Sequence, residues 1–278
     1  MTISEKYGPW ALITGGSDGI GLAFARRLAS EGLKLILIGR NAAKLASAAA
    51  ELKASGAECI TASVDLASAD ACQQIAAAVG DREVGLLVTN AGADSINSRF
   101  LDQDIAAWDG LAAMNVNTTM RLAHHFGRAM RERKRGGMVL INSGACYGGL
   151  SGLSVYCAAK GFVLNFAEGL WAELRRDGVD VLTMVLGQTD TPSYRGTLER
   201  SGSPLPENWA RSEDVADKAL AQLPHGPIYN WGQAGDVAGM APNSPDARRA
   251  KIEYIESMMD DYTQRKEEAC PVTLRTAH

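Results

Sequence analysis

No apolar run in the 278 residues approaches the ~20 needed to cross a bilayer. The N-terminus, MTISEKYGPW, lacks the basic-then-apolar pattern of a secretory signal, so a soluble, cytoplasmic protein is expected. The five cysteines, Cys59, Cys72, Cys146, Cys157 and Cys270, are odd in number and scattered, with no Cys-x-x-Cys pair. That excludes a disulfide framework and a zinc knuckle. The four histidines show no ligand spacing, because the adjacent His124 and His125 would point to different sides of a helix; no metal is expected. Charge is nearly balanced, 28 basic against 32 acidic residues, and no basic stripe is present. Nucleic acid and anionic membrane are therefore not expected partners. There is no internal repeat and no Pro-, Ser- or Gly-rich linker, which predicts one domain over residues 1–278.

What the chain does have is a regular alternation. Strand-like runs occur at Trp10 to Thr14, Leu33 to Ile38, Glu58 to Val64, Val84 to Asn90, Gly137 to Ser143, Val179 to Leu186 and Pro227 to Trp231. Helix-like stretches rich in Ala, Leu, Arg and Glu separate them. Buried strands alternating with helices predict right-handed crossovers and an α/β, doubly wound Rossmann fold, a seven-stranded parallel sheet with helices on both faces. The core is expected over about 8–232. Residues Pro192 to Trp209 read as a long irregular insert, the usual length of a lid or of a disordered segment. A helical extension is expected over about 244–268, with Ser244 as N-cap before Pro245 and with Ile252, Ile255, Met258, Met259 and Tyr262 on one apolar face. Such a stripe ordinarily packs on the protein's own body.

Between the first strand and the following helix lies TGGSDGIG, in which Gly15, Gly19 and Gly21 are spaced by four and then two. A strand-to-helix turn of this kind aims unpaired amides and the positive end of a helix dipole at one point, which suits a phosphate. Side chains at the glycines would obstruct the turn or a pyrophosphate. Glycines also end strands for purely structural reasons, so the turn needs support from elsewhere. After the second strand stands Gly39-Arg40, where an NAD-specific fold would place a carboxylate on the ribose hydroxyls. Glycine leaves room there, and the planar guanidinium of Arg40 can pair with a 2′-phosphate, with the Ser17 hydroxyl beside it. The alternative for Arg40 is a solvated charge at a strand end.

Tyr156 and Lys160, in YCAAK, are four positions apart and share a helix face; Ser143 ends the fifth strand thirteen residues earlier. A free phenol titrates near ~10, and an adjacent ammonium lowers that value. Such a phenol can give a proton to an alkoxide forming as hydride arrives, or take it back in reverse. The Ser143 hydroxyl can bond the same oxygen. A Tyr-x-x-x-Lys pair alone also occurs by chance.

TGGSDGIG, the NAG of Asn90, Ala91 and Gly92, Asn115, Ser143 and YCAAK, in this order and spacing, resemble the short-chain dehydrogenase/reductase family in its shorter single-domain branch, from about Trp10 to Trp231. The resemblance implies Tyr156 as proton donor and acceptor, Ser143 orienting the substrate oxygen, Lys160 lowering the tyrosine pKa and binding the nicotinamide ribose, and Asn115 supporting a water-linked relay. It implies cofactor contacts from Gly15, Ser17, Asp18, Gly19, Ile20 and Gly21 of the turn, from Arg40, Asp65 and Leu66, from Asn90, Ala91 and Gly92, from Tyr156 and Lys160, and from Gly187, Thr189 and Thr191. The four-then-two spacing is unlike the epimerase branch, and the Tyr156–Lys160 interval is shorter than in enoyl reductases. The turn together with LILIGRN resembles NADPH-using hydroxysteroid and 3-ketoacyl reductases. Where the family has Pro-Gly after the sixth strand, this chain has Leu186-Gly187, which predicts a looser nicotinamide-side loop.

The expected activity is NADP(H)-dependent interconversion of a ketone and a secondary alcohol, run as a reductase. The rivals are the same chemistry with NAD(H), a catalytically silent dinucleotide-sensing protein, and a structural subunit. By position Ala93, Asp94, Ala145, Cys146, Tyr147, Leu150, Leu153, Tyr194 and Trp209 line the substrate pocket, mostly apolar or aromatic, which suits a bulky, largely uncharged ketone. Helices over Ile105 to Arg133 and Val155 to Arg176 carry Leu111, Met114, Leu122, Phe126, Phe162, Leu164, Phe166 and Leu170, more apolar residues than one sheet face should need. A homodimer or homotetramer through these helices is the expectation.

Overall fold

The computed structural model of the protein describes residues 2–93, 96, 98–201 and 204–231, with 245, 246, 249, 250 and 253. In chain order its elements are α1 (Ile3–Tyr7), β1 (Trp10–Thr14), α2 (Gly19–Ser30), β2 (Lys34–Gly39), α3 (Ala42–Ala54), β3 (Cys59–Ser63), α4 (Ala71–Val79), β4 (Val84–Thr89) and α5 (Ile105–Ala112). There follow α6 (Thr118–Glu132), β5 (Gly136–Ser143), α7 (Ser154–Leu174), β6 (Val179–Leu186), β7 (Thr189–Asp190), α8 (Pro192–Ser201), β8 (Ala210–Arg211), α9 (Ser212–Gln222) and β9 (Ile228–Trp231).

Seven strands form one parallel sheet in the order β3-β2-β1-β4-β5-β6-β9. All seven expected strands are in it, with ends displaced by at most two residues. Side chains alternate across each strand, so the two faces of β1 and β2 enter different cores. Ala11, Ile13, Leu35 and Leu37 pack with Phe24 and Leu28 of α2, Leu45 and Leu52 of α3, and Val215 and Leu220 of α9. Trp10, Leu12, Ile36 and Ile38 face Ile75 of α4, Phe126 and Met130 of α6, and Val163 and Trp171 of α7. Burying each large apolar side chain contributes about 1.5–3 kcal/mol, and these two layers hold the sheet between them. The result is the doubly wound Rossmann-type fold. Its strand order reverses between β1 and β4, and ligands of such sheets bind outside the carboxyl ends of the strands at that point.

Four findings depart from the sequence reading. The Pro192 to Trp209 segment is not irregular throughout: it opens with α8, and the residues that flank it pair as the parallel strands β7 and β8, Thr189 opposite Ala210. Thr191 starts that helix by accepting a hydrogen bond from Tyr194 N at 3.1 Å. The helix expected over Ile105 to Arg133 is broken by a π turn at Ala113–Asn117, between α5 and α6. Of the eight apolar residues read as surplus, Leu111, Leu122, Phe126 and Leu164 are buried in the chain's own cores, and Met114, Phe162, Phe166 and Leu170 pack partly against them. Half of the surplus on which association was expected is thus consumed internally, and half stays only partly covered. Finally, α1 was not foreseen. Thr2 and Glu5 cap it reciprocally, and its buried Tyr7 donates to Asp180 Oδ2 on β6 at 2.5 Å. The apolar stripe of the expected C-terminal helix lies outside the described residues; Arg249, within them, donates to the His225 and Gly226 carbonyls ahead of β9.

Candidate active site

At the switch point, β1 runs into the glycine turn. Gly15 has φ +65°, in the left-handed region, and a Cβ on Gly21 would overlap the Gly15 carbonyl. Ile20, just inside α2, is half-buried against the core, so only its backbone faces the turn. The turn is tied to the next strand. Thr14 Oγ1 accepts from Asn90 N at 3.0 Å and Ala91 N at 3.2 Å, while Asn90 Nδ2 donates to the Thr14 and Gly15 carbonyls at 3.2 and 3.3 Å. Asn90 is thereby a clamp on the cradle itself, and Thr14 is its unforeseen partner. The residue just before the insert closes the turn from the other side: a Cβ on Gly19 would sit 3.3 Å from Thr191.

Beside the turn opens a depression of about 550 Å³ lined by Ser17, Asp18, Arg40, Asn41, Ala42 and Lys44. Arg40 is exposed, and its guanidinium makes no ion pair among the described residues. Gly39 leaves the space a carboxylate would fill, with Ser17 Oγ 3.6 Å from where its Cβ would stand. Sequence reasoning missed Lys44. Its signal was the cap: Asn41 Oδ1 accepts from Lys44 N at 3.0 Å, which places residue 44 one turn into α3 and over the depression. Asp65 is exposed at the end of β3 and accepts from Ala67 N at 3.1 Å. Leu66 is buried, and its carbonyl accepts from Thr118 Oγ1 at 2.7 Å.

Deeper in the crevice, Lys160 of α7 is 5% exposed and its Nζ donates to Ile141 O at 3.3 Å. Burial pulls its ammonium down to about 8, partly opposed by the Cys146 thiol. Nζ lies 5.5 Å from the Tyr156 ring centre. Gly92, φ +150°, keeps this corner open: a Cβ there would collide with Asn115 Oδ1 and come within 3.2 Å of Lys160 Nζ. Asn115 sits in the π turn, whose extra residue turns it inward. Its Nδ2 donates to Leu111 O at 3.0 Å, whereas Oδ1 is buried without a partner. A buried acceptor left so is costly unless a ligand or water meets it. Ser143 ends β5, and its Oγ accepts from Ala145 N at 3.3 Å, starting the 3₁₀ turn Gly144–Tyr147; its own hydroxyl proton remains available to donate. A residue not foreseen, the buried Asn142, joins the two catalytic elements, accepting from Ser143 N at 2.9 Å and donating to Lys160 O at 3.3 Å.

The end of β6, where Leu186 stands, is paired on both sides. Leu186 pairs with both Ser143 and Trp231, and Gly187 N donates to Trp231 O at 2.9 Å. Thr189 is buried in β7. Of the expected pocket residues, Tyr194 and Trp209 meet edge to face with ring centres 6.4 Å apart. Arg195 braces them, stacked 4.6 Å over the Trp209 ring and bidentate to Asp190 at 2.6 Å. Ala145 and Leu153 are half-buried, while Ala93 and Leu150 are exposed. Cys146 and Tyr147 turn partly away, packing on Leu164, Val185 and Ile228, with the Tyr147 hydroxyl bonded to Asn230 at 2.5 Å. Asp94 lies outside the described residues.

The family model for short chain dehydrogenase matches residues 9–201. The chain belongs to that family. A 7beta-hydroxysteroid dehydrogenase of Mediterraneibacter gnavus is 29% identical over 226 residues, covering 80% of this chain and 86% of that protein. A very-long-chain 3-oxoacyl-CoA reductase of Laccaria bicolor is 34% identical over 182 residues, 63% of this chain, which spans about half, 53%, of that longer relative. A solved structure from work on 7beta-hydroxysteroid dehydrogenase stereoselectivity superposes with a TM-score of 0.79 at 25% identity, covering 91% of this chain and 100% of the other. A metagenomic short-chain oxidoreductase in complex with NADP gives 0.66 at 27% identity, covering 82% and 97%. This short-chain dehydrogenase is thus an oxidoreductase. The glycine cradle, the open corner at Gly92 and the unpartnered Asn115 Oδ1 all fit a dinucleotide. No helix among the described residues is long and apolar enough to cross a membrane.

Proposed function

We propose that this short-chain dehydrogenase interconverts a ketone and a secondary alcohol with NADP(H), and that Tyr156 moves the proton. The observation that carries this reading is the Lys160 ammonium, buried 5.5 Å from the Tyr156 ring beside Gly92. When bound, a nicotinamide cofactor supplies or accepts the hydride at the carbonyl carbon. Gly15, Gly19 and Gly21 make room for its pyrophosphate, and Thr191, just before the insert, closes the cradle. Arg40, with Ser17, takes the 2′-phosphate. Asp65, with the backbone of Leu66, meets the adenine, and Asn90, Ala91 and Gly92 line the path to the nicotinamide end.

In reduction the carbonyl oxygen takes the phenolic proton of Tyr156, leaving a phenolate that Lys160 stabilises by charge. The Ser143 hydroxyl, whose oxygen already accepts from Ala145, donates to the same substrate oxygen. Asn115 Oδ1 holds a water through which the phenolate regains its proton. A bulky, largely apolar ketone suits the Tyr194–Trp209 pair on the insert, and the hydroxysteroid dehydrogenase relatives favour the same substrate class.

The test is a panel of carbonyl compounds, from small charged keto acids to polycyclic ketones, read by absorbance loss with NADPH and with NADH. Faster reduction of the bulky ketones with NADPH is expected. Preference for keto acids overturns the substrate class; preference for NADH overturns the cofactor.

A further inference from the structure

The depression beside the glycine turn holds an acid where a phosphate would lie. Asp18 occupies the N-cap of α2 yet makes no side-chain cap bond, so its carboxylate is not committed to the helix. It points across the depression to Lys44, with Oδ2 2.7 Å from Nζ. Both side chains are partly exposed, 39% and 55%, and both line the depression with Arg40 and Ser17. A bare carboxylate in that wall would repel a 2′-phosphate at short range, and Arg40 alone would have to offset it. With Lys44 in place the three charges sum to one positive, and that charge rests on Arg40, which has no competing partner among the described residues.

We propose that Lys44 determines 2′-phosphate specificity by neutralising Asp18, the pair acting as a single unit beside Arg40. The inference rests on the NADP(H) reading of the same site. Lys44 contributes in two ways: it removes the repulsion of Asp18, and its remaining ammonium protons are free to donate to phosphate oxygens. Removing Lys44 exposes Asp18 to the phosphate, removing Asp18 releases Lys44 to it, and removing both leaves Arg40 facing a neutral wall. The two substitutions are therefore opposite in sign and mutually compensating.

Direct binding of 2′,5′-ADP and 5′-ADP, by calorimetry on the whole chain, separates these contributions without requiring turnover. Lys44→Met is expected to weaken 2′,5′-ADP about tenfold, the scale of one charge-assisted bond, and to leave 5′-ADP within about twofold. Asp18→Asn should tighten 2′,5′-ADP, and the Asp18→Asn, Lys44→Met double variant should return to within about threefold of wild type. Lys44→Gln serves as a second variant, and thermal melts establish that each folds. If both single variants bind 2′,5′-ADP like wild type while Arg40→Ala weakens it, the Asp18–Lys44 proposal is overturned and the NADP(H) reading stands. If wild type binds the two nucleotides equally, the NADP(H) reading falls, and this inference with it.

Discussion

Lys160 carries two requirements that pull against each other. It must be buried to stand beside Tyr156, and burial disfavours the charge through which it acts; the outcome is an ammonium lowered to about 8, still protonated at neutral pH. The linkage has a definite sign. Between the folded value of about 8 and the ordinary value of 10.5, the unfolded chain binds the extra proton, so stability from this group rises with pH across that window and is lost as pH falls through 8. Lys160→Met removes the buried charge and keeps the length of the side chain. Relative to wild type it should therefore melt at its highest near pH 7, and that advantage should shrink by pH 10. Melting curves of both proteins at pH 7, 8.5 and 10 check this; a constant gap means that Lys160 is not depressed. The comparison cancels other groups that titrate in the same range.

At the scale of elements, the site is held by pieces the alternating pattern does not announce. The N-terminal helix α1 is one. Its five residues are far too few to be stable alone, and they are fixed by the reciprocal Thr2–Glu5 cap and by Tyr7 reaching Asp180 on β6, where Lys6 also pairs. Burial and the Asp180 carboxylate both push the Tyr7 hydroxyl far above its ordinary range, so it stays a donor at any working pH. Tyr7→Phe keeps the ring packed and removes one bond to a carboxylate that retains Lys6. A loss of about 1–2 kcal/mol is expected, lowering Tm by a few degrees with turnover unchanged. An unaltered melt would show that α1 is held by packing alone. The insert is the second such piece: α8 starts on Thr191, which also packs on Gly19, so the insert and the glycine turn meet at one residue.

At the scale of the molecule, the sheet and both helical layers were legible because their cause is local and periodic. Apolar runs of strand length alternate with helical stretches, and two faces per strand require two helical layers. The chemistry was legible where spacing alone carries it, as at Tyr156 and Lys160, four apart on one helix. What escaped depended on contacts between segments distant in sequence. Lys44 gains meaning only through Asp18, 26 positions earlier, and Asn142 only through Lys160, 18 positions later. The helix α8 escaped because Gly196 within it, and Gly202, Pro204 and Pro206 after it, read as loop, while the whole segment is bracketed by the pairing of β7 with β8. The apolar residues on α5 to α7 are shared among one main core and two smaller clusters, and Met114, Phe162, Phe166 and Leu170 stay only partly buried, so the expected homo-oligomer through these helices stands as a proposal.

The central claim is that Tyr156 transfers the proton while the surrounding residues bind the dinucleotide independently of it. Tyr156→Phe separates the two, since it keeps the ring against Trp108 and Leu111 and removes only the hydroxyl. Turnover of the best ketone and NADPH affinity should be measured on the same preparation. A positioned acid contributes about 100-fold or more, so turnover is expected to fall by at least that factor with the NADPH Kd within a few-fold of wild type. Turnover within tenfold of wild type, or NADPH binding lost together with turnover, would contradict the claim.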